Sequence, residues 1–185
     1  MKGILIGLAI AIVVIGIAMI SMYNGIVIKH ETITAKWAQV ESQLQRRLDL
    51  IPNLVNTVKG YAAHEKTVFE DVTKARSAWS GANTIDDKVK AASQMDSAIA
   101  RLLLVVENYP QLKADQTFLK LMDELSGTEN RIAVERMRYN EAVKDYNIMV
   151  RQFPANIVAR MFGYHPAAEY FKAEERAKAA PEVKF

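Results

Sequence analysis

The sequence predicts an all-α protein, a polar helical domain carried on an apolar N-terminal helix. Three observations predict it. Ile4 to Ile20 is apolar throughout and Gly3 to Ile28 carries no charge. From Trp37 onward apolar residues recur every third or fourth position, which is a helix period. Gly (8) and Pro (5) are sparse among 185 residues, which argues against the many tight turns of a β architecture.

The first element is the apolar run. A bilayer core about 30 Å thick needs roughly 20 apolar residues in a helix rising 1.5 Å each, and Ile4 to Met22 supplies that length. A cleaved signal peptide is the competing reading, with Lys2 as its basic end, but no A-x-A-like site follows and the run is long for a signal. The expectation is a retained anchor over residues 1–28 with Tyr23 at the interface. Lys2 stands alone before the span, whereas Lys29, Lys36, Arg46 and Arg47 follow it. The positive-inside tendency then puts the polar domain in the cytoplasm. Gly3, Gly7 and Ala11 recur every fourth residue and give one helix face small enough for close approach of a second helix, so the sharp expectation is self-association. The bland one is that Gly and Ala are common in membrane helices.

The second element carries Trp37, Val40, Leu44, Leu48, Ile51, Val55, Val58, Ala62, Phe69, Val72 and Trp79 on one stripe, with Glu65 out of character. Pro52 lies inside this pattern. Because Pro lacks a donor and crowds the preceding turn, the helix must kink or restart there, and the unbroken phase of the stripe favours a kink. Ser80 to Thr84 is the clearest break: Gly81 suits a helix end, Asn83 or Thr84 a cap, and Asp86 and Asp87 the positive end of the next helix. The third segment places Ile85, Val89, Ala92, Met95, Ile99, Leu102 and Val106 on one face and ends at Tyr109-Pro110.

A seven-residue repeat marks the last long segment: Phe118, Leu125, Ile132, Tyr139, Tyr146 and Phe153. Polar turns holding Thr128, Glu129, Glu135 and Arg136 argue against a continuous dry coiled coil. Gly127, with Ser126 and Glu129 at capping-box spacing, predicts a local irregularity. Tyr139-Asn140 and Tyr146-Asn147 repeat at the same spacing, as expected of a packed seam with satisfied polar edges. A short amphipathic piece with Ile157, Met161 and Phe162 follows Pro154, then Gly163 and a tail whose Tyr170 and Phe171 are suited to dock on the helices. The helical domain is therefore expected over residues 29–163 and the tail over 164–185.

Composition excludes most chemistry. Cys is absent, which removes disulfides, thiol nucleophiles, Cys-ligated metals and lipidated Cys. The charge balance, 24 Lys plus Arg against 21 Asp plus Glu, is far from a nucleic-acid-binding footprint. A di-iron bundle needs Glu-x-x-His pairs, but Val27, Tyr61 and Phe162 precede His30, His64 and His165 by three. There is no HExxH, GxSxG, P-loop or GxGxxG motif. No catalytic, metal or cofactor site is expected. Arg46-Arg47 beside Asp49 is the densest local charge, readable as a lipid or partner contact or as a solvated face with an internal ion pair. Trp37 and Trp79 lie on the stripe and are expected in the core.

Several longer words are mutually ordered along the chain. Gln43-Leu44-Gln45-Arg46-Arg47 leads to Asp49-Leu50-Ile51-Pro52-Asn53-Leu54-Val55, then to Val58-Lys59-Gly60-Tyr61-Ala62 and His64-Glu65. Tyr109-Pro110-Gln111-Leu112-Lys113-Ala114, Thr128-Glu129-Asn130-Arg131-Ile132-Ala133 and Tyr139-Asn140 follow, with Tyr23-Asn24, Phe162-Gly163 and Phe171 nearer the ends. These closely resemble the LemA family over nearly the whole length. The resemblance implies a bacterial single-pass inner- or plasma-membrane protein whose short N-terminus is exported. Its cytoplasmic part would be an elongated antiparallel, four-helix bundle. It implies no enzyme activity and no catalytic residues to carry over, and it points towards membrane proteases, envelope stress and membrane organisation. The functional expectation is a membrane-anchored, self-associating scaffold in contact with lipid. The alternative is a regulator or adaptor binding another membrane protein, such as a protease, through Arg46, Arg47 and the tail.

Overall fold

A computed structural model describes residues 2–167 and 170–171. Its helices are α1 (Lys2–Lys59), α2 (Lys66–Gly81), α3 (Ile85–Val106), α4 (Pro110–Lys113), α5 (Gln116–Arg151) and α6 (Ala155–Met161), and no strand occurs among the described residues. The chain divides into two compact units, residues 41–133 and residues 1–40 with 134–185, and α1 and α5 contribute to both.

In the unit of residues 41–133, Phe69 at the start of α2 clusters with Leu54 and Val58 near the end of α1. Trp79, near the end of α2, lies beside Leu44 and Leu48. The two helices are thus antiparallel. Along α3, Lys88 pairs with Glu41, Asp96 with Arg47, and Leu102 with the Leu54 cluster, so α3 runs parallel to α1. Arg101 reaches back to Asp71 of α2 at 2.6 Å. The first half of α5 returns antiparallel to α1, with Phe118 and Leu125 in the Leu54 cluster and Arg131 donating to Gln43 at 3.2 Å. The result is the antiparallel four-helix arrangement, its core filled by stripe residues that the helix period had placed together.

Helix α1 passes through Pro52 without stopping, as the unbroken stripe favoured, because the buried Ile51 and Leu54 on either side keep that turn packed. The stripe itself does not continue to Trp79 as one helix, since the chain leaves α1 at Gly60 and turns through Tyr61 to Glu65. Ala62 is buried in that turn, its N–H donating to the Val58 carbonyl at 2.9 Å, so an apolar position kept its phase outside a helix. Tyr61 secures the turn by donating to Asp115 at 2.9 Å, and that bond raises the phenol's pKa. Asp115 also caps α5, accepting from Thr117 and Phe118 N–H at 2.8 and 2.9 Å, and these bonds, Phe118's first, lower its own pKa.

Ser80 to Thr84 breaks the chain as expected, and Thr84 Oγ1 accepts from the Asp87 N–H at 3.1 Å as the cap of α3. Gly127 produces no irregularity. Helix α5 continues unbroken through it, and Thr128 is fully buried with its hydroxyl donating to the Leu125 carbonyl at 2.7 Å. Of the heptad positions, Phe118, Leu125, Ile132, Tyr139 and Tyr146 are buried. Phe153 is exposed, because α5 ends at Arg151 and the helical period ends with it.

A methyl group at Gly127 would meet only the mobile tip of Arg131, at 3.4 Å. Gly127→Ala is therefore expected to stabilise the protein by about 0.5–1 kcal/mol through helix propensity. Thermal unfolding of the detergent-solubilised chain should shift upward by a few degrees, and a fall would mean that the turn needs its glycine.

Candidate functional site

In the unit of residues 1–40 and 134–185, two regions stand out: a bare apolar helix and an aromatic clamp. The large apolar side chains from Ile4 to Ile17, together with Ile20, are exposed, and the most apolar window of α1 has none of its residues buried in protein. A helix of that length and composition can cross a bilayer with every backbone group satisfied internally. Gly3, Gly7 and Ala11 all lie on it, exposed, and nothing stands within 4 Å of where a side chain would begin at Gly3 or Gly7.

Beyond this stretch α1 acquires a partner. Lys29 bonds Asp145 at 2.7 Å, Trp37 meets the Tyr139 ring edge at 5.8 Å, and Gly25 lies against Met149, so α5 runs antiparallel to α1. At Gly25 an added Cβ would come 2.9 Å from the Met149 methyl, which shows how close the two helices pass there. The Lys29 ammonium holds the Asp145 carboxyl below the usual carboxylate range. Ile26, at the far end of the 1–28 stretch, is fully buried among Tyr146, Val150, Val158 and Ala159 rather than exposed with Ile4 to Ile20.

The clamp is built on the Tyr-Asn repeat of α5. Phe171 stacks on Trp37 at 5.8 Å, meets Tyr139 edge-on at 5.4 Å, and lies under the Arg136 guanidinium at 5.2 Å. Asn140 fixes it at two points: its amide donates to the Phe171 carbonyl at 3.2 Å, and its oxygen accepts the Phe171 N–H at 2.9 Å. One heptad on, Tyr146 donates to the His165 carbonyl at 2.9 Å, and Asn147 donates to the Ala167 carbonyl at 3.0 Å and to the Tyr170 hydroxyl at 3.2 Å. Burial raises the pKa of Tyr146 and of Tyr164, keeping both phenols neutral. Gly163, at φ +76°, makes the turn that sends the chain back along the helices. The repeat is thus a packed seam, as its spacing implied, and its amides serve the tail backbone, but its polar edges are not all satisfied: the Asn147 Oδ1 is buried without a hydrogen-bond partner among the described residues. Residues 168, 169 and 172–185 of the expected tail lie outside the described residues.

Arg46 and Arg47 part company. Arg46 is exposed. Arg47, with only 13% of its side chain accessible, is held between Asp96, at 3.1 Å, and Glu129, and so ties α1 to α3 and α5. Asp49, beside it in sequence, instead accepts from Gln45 at 2.8 Å. A groove of about 660 Å³ is lined by Lys59, Ala63, Lys66, Phe69, Glu70 and Thr73. Among the described residues no group of three His, Asp or Glu side chains is placed to hold a metal ion.

These features define a membrane-associated helical-bundle protein. The LemA family model matches residues 36–185, and the chain belongs to the LemA family. It is similar to magnetosome protein MamQ 1 of Paramagnetospirillum magneticum, 30% identical over 81% of this chain and 64% of that protein. It is also similar to magnetosome protein MamQ of Magnetospirillum gryphiswaldense, 27% identical over 80% and 64%, and to protein LemA of Metamycoplasma hominis, 28% identical over 74% and 62%. The chain thus spans somewhat under two thirds of the length of these relatives, and none of their names states an enzyme activity.

Replacing Asn140 with Ala removes both bonds to Phe171 while leaving the aromatic stack. The Phe171 amide is expected to exchange about ten- to hundredfold faster with deuterated solvent, equivalent to about 1.4–2.8 kcal/mol of lost docking. Unchanged exchange would mean that stacking on Trp37 alone holds the tail.

Proposed function

We propose that this protein is a retained, single-pass membrane anchor bearing a non-catalytic helical scaffold that associates laterally with copies of itself in a bacterial inner or plasma membrane. The observation that carries this reading is the exposed face of Gly3, Gly7 and Ala11 on a helix whose large apolar side chains from Ile4 to Ile17 are exposed among the described residues. In lipid there is no hydrophobic drive between helices, so close backbone approach at small residues is what favours pairing. A second support is the outward face of α5, where Val134, Met137 and Ile148 are exposed within about 60° of one another around the axis. Anchoring confines such faces to a plane and raises their effective concentration for one another.

Chemical cross-linking in membranes and light scattering of the detergent-solubilised chain test the assembly. The expected result is a multimer that Gly7→Ile with Ala11→Ile reduces to monomer while thermal unfolding of the bundle is unchanged. Wild-type monomer by both methods sinks the scaffold reading. The rival, an adaptor for another membrane protein, now rests on exposed Arg46, since Arg47 is engaged internally. Arg46→Glu should leave assembly size unchanged in either case and release a co-purifying protein only if that rival holds.

The bundle is proposed to face the cytoplasm, because the flank after the span is the richer in cations. A reporter fused after Phe185 that works only inside the cell should be active. Activity of an export-dependent reporter at that position reverses the orientation.

A further inference from the structure

We propose that the elbow from Phe153 to Phe162 is a second membrane contact, an apolar foot that inserts into the headgroup and upper acyl region beside the anchor. This rests on the anchoring reading above. Helix α6 buries Ala155, Val158 and Ala159 against the protein, yet leaves Ile157 51% and Met161 64% exposed one turn apart, flanked by Phe153 at 80% and Phe162 at 55%. Four large apolar side chains gathered on seven helical residues and their two ends are more than scattered surface exposure.

Their level along α1 identifies the occupant. Val158 and Ala159 of α6 share a buried cluster with Ile26, against which Met19, Met22 and Tyr23 pack, the turns in which the bare apolar stretch ends, and the Phe162 ring lies 4.7 Å from Tyr23. Independently, α5 passes α1 with Asp145 at Lys29 and Met149 at Gly25, and the same antiparallel register brings Arg151, the last residue of α5, level with Tyr23. The elbow therefore sits where the anchor leaves the hydrocarbon.

Charge agrees with a lipid surface. Neither segment meeting here contains an acidic residue: there is none from Met1 to His30, and none from Tyr146 to Ala167. Arg151 and Arg160 are exposed beside the apolar side chains, long enough to reach phosphates while Phe153 and Met161 enter below them. An apolar face flanked by Arg151 and Arg160, on segments that carry no carboxylate of their own and continuous with a helix able to cross a membrane, matches an anionic bilayer interface better than it matches a protein groove.

Because the chain has no Cys, single cysteines can be placed and labelled with an environment-sensitive dye. The full chain is reconstituted in vesicles of phosphatidylethanolamine and phosphatidylglycerol, with labels at Ile157→Cys or Met161→Cys. Ile12→Cys serves as the anchor control and Leu104→Cys, exposed on α3, as the solvent control. The foot predicts that labels at 157 and 161 are several-fold less accessible to iodide than the label at 104 and are quenched by lipids spin-labelled near the top of the acyl chain. Quenching at 12 but solvent-like behaviour at 157 and 161 overturns the foot and leaves the anchor intact, whereas loss of lipid quenching at 12 overturns the anchor. Protection at 157 without lipid quenching, growing with protein density in the vesicles, would assign the face to a second copy of the chain and also overturn the proposal.

Discussion

The structure depends on a change of environment along a single helix. From Ile4 to Ile20 α1 is apolar on every side, so its exposed surface suits a medium as apolar as itself, and a helix is the form in which such a medium tolerates a backbone. From about Tyr23 the apolar residues narrow to a stripe, and the same helix becomes one wall of a protein core. Neither half works with the chemistry of the other: a bare stripe in water would aggregate, and a charged face in lipid would cost several kcal/mol.

The polar side chains then decide which stripes meet. Arg47 is held nearly buried by Asp96 and Glu129 from two further helices. Removing the guanidinium would leave those carboxylates facing each other, whereas losing one surface pair such as Arg138 with Glu135 would matter little. Asn140 and Asn147 do similar work for the tail. Each spends its amide on a backbone group that has no helix of its own to satisfy it. A heptad of aromatic residues could pack against many partners, but a two-point bond from Asn140 to one residue's backbone selects Phe171.

The helices were legible because they rest on period and punctuation. The break at Gly81 and the cap at Thr84 follow from local chemistry, and so does burial of Trp37 and Trp79. Errors arose where tertiary contacts outweigh local preference. Gly127 lowers helix propensity, yet with Leu125, Thr128 and Ile132 buried in the core α5 continues unbroken through it. At Gly60 the stripe kept its phase across a turn, because Ala62 fills the core from a loop, and periodicity alone cannot distinguish that from helix. The ends of a seam are also invisible to its spacing, as Phe153 shows by standing exposed one residue before Pro154.

By itself the sequence determined the class: hydropathy marks the helix long and apolar enough to cross a membrane, the three-to-four period settles the rest as helices, and the ordered motifs point to the LemA family. Only the tertiary structure decided which partner each polar group takes, because an arginine or asparagine carries no record in its neighbours of the carboxylate or carbonyl that reaches it from a distant part of the chain. That is why Arg46 and Arg47, alike in sequence, end in different roles, one in solvent and one inside the bundle. It is also why the apolar side chains of α6 acquire a meaning only once their level beside the end of the anchor is known.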